Sequence, residues 1–218
     1  MKKKIIITIL ILFPFASAIA SELPNKYYIE NVPFSPQAPF AKWSDPRQQD
    51  ACEEMSATLA VYWARGRSLT RTQSEKTILD IAKFETKKYK NYRDTSAADT
   101  AKRIIKEYFG YTKYEIKNDI TIDDIKIALS ENKIVIVPTN GQWLKNPNFK
   151  RPGPERHMLV IRGYNSVKKT FTTNDPGTRK GENYKYDEKI LYNAIRDYPT
   201  GNHIAIKGVK KNMITVWK

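Results

Sequence analysis

Gln48-Gln49-Asp50-Ala51-Cys52-Glu53-Glu54-Met55-Ser56-Ala57-Thr58-Leu59-Ala60-Val61-Tyr62-Trp63-Ala64-Arg65-Gly66 is the stretch from which the fold is read. It carries the only cysteine of the chain, at the start of a segment with helical periodicity. Met55, Leu59, Tyr62 and Trp63 recur at helical spacing, Asp50 is placed to cap the N-terminus, and Gly66 ends the run. A thiol at a helix N-terminus lies at the positive end of the helix dipole, which favours the nucleophilic thiolate. Glu53 and Glu54 in the same turn oppose that effect, so the site calls for a cationic partner from elsewhere in the chain.

Helical patterns continue downstream. Ile78, Ile81 and Phe84 lie on one face of a segment from Gln73 to Tyr89. Ser96 to Phe109 forms the next helix, capped by Thr95 and stopped by Gly110, and Thr121-Ile122-Asp123-Asp124 opens a short one to about Asn132. The period then changes. Ile134-Val135-Ile136-Val137-Pro138 reads as a buried strand, followed by a Gly/Pro/Asn loop from Asn140 to Glu155 that carries Trp143 and Phe149. His157 to Tyr164 and Thr170 to Asn174 are the next strands, joined by a turn over 165–169. A short helix around Glu188–Tyr198 and strands near His203–Val209 and Met213–Trp217 complete the reading. Helices first and an antiparallel sheet second give an α+β fold. Upstream, Val32-Pro33-Phe34-Ser35-Pro36-Gln37-Ala38-Pro39-Phe40 is too rich in proline for a helix and runs extended towards the cysteine.

The chain opens with three lysines, an apolar run from Ile5 to Phe15, and Ala18-Ile19-Ala20 before Ser21. This is the layout of a secretory signal peptide over residues 1–20, with an uncleaved N-terminal anchor as the alternative. Residues 21–218 then form one domain. Removing the three lysines takes the net charge from +15 to +12, because residues 1–20 hold no acid. Such a basic exported surface suits an anionic partner, whether cell-wall polymer, lipid headgroups or acidic substrate. The lysines are scattered and no nucleic-acid motif stands out, so nucleic acid is not an expected partner. A single cysteine forms no internal disulfide, and in an exported protein it is either a reactive thiol or a small buried hydrophobe.

Only two histidines exist, and His157 begins a strand that emerges from the Gly/Pro loop. Asp175 ends the neighbouring strand, beside Pro176 and Gly177. Two antiparallel strands joined by a short turn retrace one another, so their far ends lie side by side. Cys52, His157 and Asp175 therefore form a candidate triad: the imidazole takes the thiol proton and the carboxylate fixes the imidazole's tautomer. His203 is the alternative base, but its surroundings read as a plain turn into a strand. An oxyanion site would combine the Cys52 backbone N–H with a side-chain amide from Gln37, Gln48 or Gln49. Cys52 and the two histidines are too few and too scattered for a zinc site, and no cofactor is expected.

These residues resemble a known family. Val32-Pro33-Phe34-Ser35-Pro36-Gln37, Gln49 to Glu54, Arg156 to Tyr164 and Asn174 to Arg179 are similar to the papain-fold cysteine peptidases related to bacteriocin-processing (double-glycine leader) peptidases, specifically the stand-alone peptidase-like branch of cysteine peptidase family thirty-nine. The resemblance implies a papain-like fold with N-terminal helices packed on a C-terminal antiparallel sheet. It also implies Cys52 as nucleophile, His157 as base and acid, Asp175 as orienter and Gln37 as oxyanion donor. Two departures stand out. Family members usually place Gly after the cysteine, where this chain has Glu53, and the segment from Gln37 to Cys52 is longer than usual, which keeps Gln48 and Gln49 in contention.

The leading function is an exported thiol hydrolase, acting as a monomer on peptide or isopeptide bonds of a protein, a peptide or cell-wall stem peptides. The same triad supports transglutaminase-like acyl transfer if an amine takes the acyl group. The rival from another class is a non-catalytic wall- or protein-binding module on the same fold. The loop from Asn140 to Glu155, with Trp143 and Phe149, is the candidate substrate-groove wall.

Overall fold

A computed structural model describes residues 22–218, so the export segment read from residues 1–20 lies outside the described residues. In chain order the elements are β1 (Lys26–Tyr28), α1 (Pro46–Gln49), α2 (Cys52–Ala64), α3 (Arg71–Tyr89) and α4 (Ala97–Asp99), which continues as a π-helix over Thr100–Tyr108. β2 (Tyr114–Lys117), α5 (Ile122–Ser130), β3 (Ile134–Thr139), β4 (His157–Asn165) and β5 (Thr170–Asn174) follow. β6 (Tyr184–Asp187), α6 (Glu188–Ala194) and β7 (Met213–Val216) close the chain. Helices lead and strands dominate the second half, as the change of period implies.

The α2 helix is buried on all sides from Cys52 to Val61. Its run of Met55, Ala57, Leu59, Ala60 and Val61 leaves no polar face for solvent, which is the pattern of a central helix rather than a surface one. It packs against β4, and Ser56 Oγ donates to the Met158 carbonyl at 3.0 Å, while Thr58 Oγ1 donates to the Glu54 carbonyl within the helix, so both buried hydroxyls are satisfied. The indole N–H of Trp63 donates to the Glu30 carbonyl and ties the far end of the helix to the N-terminal segment.

The seven strands form one sheet in the order β2-β7-β3-β4-β5-β6, with β1 on β4. All assigned strand pairs are antiparallel. The nine residues of β4 are shared along their length: β3 pairs with His157 to Ile161, and β1 takes the same edge from Gly163 to Asn165. Gly163 is required there, because a Cβ would come within 2.7 Å of the Tyr27 carbonyl oxygen. Pro138 sits in β3 beyond the reach of β7, whose pairing ends at Ile136, so its missing N–H costs the ladder nothing on that side.

Local chemistry shifts several predicted boundaries. Asp50 does not cap α2. It is the C-cap of α1, whose own N-cap is Asp45, and its carboxylate pairs with Arg93 at 3.1 Å. The α2 N-cap is Ala51, with no side-chain cap. Thr70 and Gln73 form a reciprocal capping box that starts α3 at Arg71. Ser96, not Thr95, caps α4, and Thr95 instead hydrogen bonds Thr100. No strand forms over 203–209; this loop is held by Asp94, whose carboxylate accepts from the His203 backbone N–H and whose carbonyl accepts from Gly201. α6 stops at Ala194, and Ile195 bridges to Thr139. The short strands β1, β2 and β6 have too few residues for a period-2 signal to separate from loop. Among the described residues no helix is long and apolar enough to cross a membrane.

Beneath α2 the core holds two carboxyl groups with no hydrogen-bond partner on any of their four oxygens, Glu54 and Glu85. Burial, followed by the neighbouring acid for Glu54, holds its carboxyl well above the carboxylate range. Burial pushes Glu85 up to about 8 against the opposing pull of Arg103. An acid whose pKa is higher folded than unfolded contributes stability that is complete below the unfolded value and lost as pH rises through the folded one. The melting temperature therefore falls between pH 5 and pH 9, by about 4–8 °C for a loss of about 2 kcal/mol. Glu85→Gln flattens that fall in a calorimetric or circular-dichroism pH series, because the amide has no charge to bury.

Candidate active site

Cys52 is the first residue of α2, where the chain turns out of α1; it is buried, with 6 % of the residue exposed, and lines a cleft of about 1210 Å³. The opposite wall comes from the sheet. His157 opens β4 and Asp175 directly follows β5, and the hairpin register brings them together: His157 Nε2 lies 2.7 Å from Asp175 Oδ1. Both are buried, and His157 lines the same cleft as Cys52 and Gln37. With Nε2 on the carboxylate, Nδ1 is the ring nitrogen left without a hydrogen bond among the described residues.

Asp175 is held from three directions. Its Oδ1 also accepts the Gly177 backbone N–H at 2.9 Å, and its Oδ2 accepts the Tyr186 hydroxyl at 2.5 Å. Tyr186 in turn accepts from Asn146 Nδ2 at 2.7 Å, which links the long loop after β3 to the carboxylate. Burial alone would raise the Asp175 carboxyl. The charge and hydrogen bond of His157, with those of Tyr186 and Gly177, hold it below the usual carboxylate range. Tyr186 and Asn146 are functional neighbours that sequence reasoning missed. Neither carries a local signal, since only the pairing of β5 with β6 and the path of the loop bring them to Asp175.

The proline-rich stretch is fastened to this assembly. Asn174 Nδ2 donates to the Pro33 carbonyl at 3.0 Å, and the Gln37 backbone N–H donates to the Pro176 carbonyl at 2.9 Å. Gln37 is thereby laid beside the start of α2, where its Nε2 donates to the carbonyls of Gln48 (3.1 Å) and Gln49 (2.6 Å). Of the three glutamines considered, Gln37 and Gln49 line the cleft, whereas Gln48 is buried away from it and donates to Glu75. His203 lies elsewhere on the cleft rim, with Nδ1 3.1 Å from Asp94 and its ring mostly exposed. The predicted groove wall divides: Phe149 packs edge-on against His157 with ring centroids 5.3 Å apart, while Trp143 faces solvent outside the cleft, with Arg196 over its ring.

Glu53 changes the electrostatics of the thiol. Its carboxyl is buried, accepts the Cys52 thiol proton at 3.0 Å on Oε2 and accepts the Tyr198 hydroxyl at 2.6 Å on Oε1. Burial pushes the Glu53 carboxyl up to about 7 despite those two hydrogen bonds. The Cys52 thiol is driven well above its ordinary value, by burial first and then by Glu53 and Glu54. The dipole argument for an acidified thiol is therefore overridden in this resting geometry, because burial disfavours the thiolate and Glu53, which accepts the thiol proton, opposes a helix N-terminus that carries only a partial charge.

The chain matches the "Peptidase_C39 like family" model over residues 29–200. It belongs to that family. It is accordingly a cysteine peptidase-like hydrolase, and its α+β architecture is of the papain-like kind. Among solved structures, a Bacillus anthracis protein assigned as a C39-like peptidase shares the fold at a TM-score of 0.55, with 14% identity over 88% of this chain and 98% of that one. Xylellain, a cysteine protease from Xylella fastidiosa, aligns at a TM-score of 0.42 with 12% identity, over 90% of this chain and 87% of the other. No curated protein matches the chain.

Two substitutions test this geometry. Glu53→Gln removes the carboxylate that holds the thiol proton, so alkylation of Cys52 by iodoacetamide at pH 7.5 becomes faster, by about tenfold for each pKa unit the thiol drops. Gly177→Ala places a Cβ 2.8 Å from His157 Cε1 and 2.9 Å from Phe149 Cε1. The ring must then move, and the expected result is a stability cost of about 1–3 kcal/mol in urea denaturation together with loss of His157-dependent thiol reactivity.

Proposed function

We propose that this protein is an exported thiol hydrolase that cleaves peptide or isopeptide bonds, with Cys52 as nucleophile, His157 as base and acid, Asp175 as orienter and Gln37 as oxyanion donor. The observation that carries the proposal is the buried His157–Asp175 pair, 2.7 Å apart, whose imidazole lines the same cleft as a thiol at a helix N-terminus. Export rests on the signal-like residues 1–20. The expected substrate is a secreted protein, a peptide or cell-wall stem peptide.

In this mechanism His157 Nδ1 takes the thiol proton as Cys52 Sγ attacks the carbonyl carbon, and Asp175 stabilises the imidazolium through Nε2. The negative oxygen of the tetrahedral intermediate is received by the Cys52 backbone N–H and by Gln37 Nε2, which turns one N–H from the Gln48 or Gln49 carbonyl to meet it. His157 then protonates the leaving amine as the C–N bond breaks, leaving a thioester on Cys52. A water molecule gives a proton to His157 and attacks the thioester. The acid product leaves, the sulfur recovers the proton, and the cycle closes. For the first step the thiol must exchange Glu53 for His157 as its hydrogen-bond acceptor.

That same Cys52–Glu53 contact favours a second reading, in which the thiol stays protonated and the domain binds without catalysis. Residues 21–218 incubated with a complex peptide library, with new termini read by mass spectrometry, separate the two. Hydrolysis predicts cleavage that disappears in Cys52→Ala and His157→Ala and falls at least about 100-fold in Asp175→Asn. Wild-type cleavage no different from Cys52→Ala removes the hydrolase reading.

A further inference from the structure

The cleft that holds Cys52 is lined by charged groups of both signs, and the two signs are treated differently. Every acid on it is engaged. Asp50 pairs with Arg93 at 3.1 Å; Asp94 lies 3.1 Å from His203 and 3.6 Å from Arg156. Glu155 pairs with Arg156 at 2.8 Å, and Glu53 accepts from Cys52 and Tyr198. Four cations on the same cleft, Lys150, Arg151, Arg179 and Lys180, make no ion pair, side-chain hydrogen bond or aromatic stacking contact among the described residues, and all four are exposed.

Their placement is not scattered. Lys150 and Arg151 directly follow Phe149, and Arg179 and Lys180 follow Gly177 by two and three residues. Phe149 packs on His157, and the Cβ site of Gly177 lies 2.9 Å from the Phe149 ring and 2.8 Å from the imidazole. The two loops therefore abut beside His157 and put four unneutralised charges on one wall of the cleft. Charges clustered in a concave, partly low-dielectric site act together on a ligand of opposite sign, both in steering and in binding.

We propose that Lys150, Arg151, Arg179 and Lys180 form a subsite for carboxylate side chains, so that the preferred substrate is a peptide with Asp or Glu residues flanking the scissile bond on the His157 side. This rests on the hydrolase reading for the word substrate, while the binding preference itself does not. A peptide suits the cleft because it also offers the backbone and apolar groups that Phe149, Trp43 and the Pro152–Pro154 segment can cover.

The test uses the Cys52→Ala protein of residues 21–218 and three fluorescent decapeptides that differ only in carrying Glu, Gln or Lys at the flanking positions, followed by anisotropy at 50 mM and 300 mM salt. The Glu peptide is expected to bind at least about tenfold tighter than the Gln peptide at low salt, with the advantage shrinking at high salt. Added Arg179→Glu and Lys180→Glu changes should abolish that preference. Lys83→Glu with Lys87→Glu alters the net charge equally on exposed positions of α3 outside the cleft, and should leave the preference in place. Equal binding of the three peptides, or equal loss in both charge reversals, overturns the subsite. So does polyphosphate that displaces the Glu peptide at a lower charge concentration than polyglutamate, since that outcome marks an anionic-polymer site. A charge preference without any cleavage by wild type would sink the hydrolase reading and leave the subsite standing, whereas cleavage indifferent to flanking charge would do the reverse.

Discussion

The packing of one fully buried helix against one strand sets the position of every group at the site. α2 has no solvent face, so it must be enclosed by the sheet on one side and by α3 and the π-helical segment on others. Its contact with β4, pinned at Ser56 and Met158, leaves Cys52 at the helix start opposite His157 at the strand start. Apolar side chains along both elements, from Met55 to Val61 and from Met158 to Ile161, supply the driving force. The catalytic-type groups are placed by core packing of residues that have no chemistry of their own.

Around that contact the site is built from hydrogen bonds that each close a different loop. Asn174 and the Pro176 carbonyl hold the proline-rich segment, which delivers Gln37. Tyr186, itself held by Asn146, donates to the Asp175 oxygen that His157 does not take, so the carboxylate is fully buried and hydrogen bonded on both oxygens. A buried carboxylate without such partners would neutralise itself by taking up a proton; here the hydrogen bonds and the imidazole keep it ionised. Glu54 and Glu85 show the contrast within the same core: their oxygens lack partners, and both carboxyls are shifted upward.

The electrostatic character of the thiol is the least familiar aspect of the site. A lone cysteine at a helix N-terminus suggests an activated nucleophile, yet the thiol proton is donated to Glu53, whose carboxyl is itself fixed by the Tyr198 hydroxyl. Burial together with a carboxyl at hydrogen-bond distance outweighs the fraction of a charge that a helix end supplies. The cleft wall reverses that sign: its acids are internally neutralised and its loop cations are not, so an approaching anion meets positive potential beside the imidazole.

Sequence alone determined the main helices, the strands β3, β4, β5 and β7, and the residues that could do chemistry, but not the short strands β1, β2 and β6 or the absence of a strand over 203–209. Helical spacing in 52–64, a β-branched run in 134–137, an apolar run in 158–161, and the scarcity of Cys and His left few candidates, and His157 and Asp175 were legible as partners because a hairpin must retrace itself. Glycine and proline also marked the turns correctly at 66, 110 and 176. What only the tertiary structure decided depends on contacts between residues far apart in the chain. Tyr198 reaches Glu53, Asn146 reaches Tyr186, Arg93 takes Asp50 from its predicted capping role, and the abutting loops gather four cations on one wall. Local pattern reports which face of an element is apolar, but long-range hydrogen bonds and burial set the partners and the protonation of each charged group. Those follow from how the elements pack.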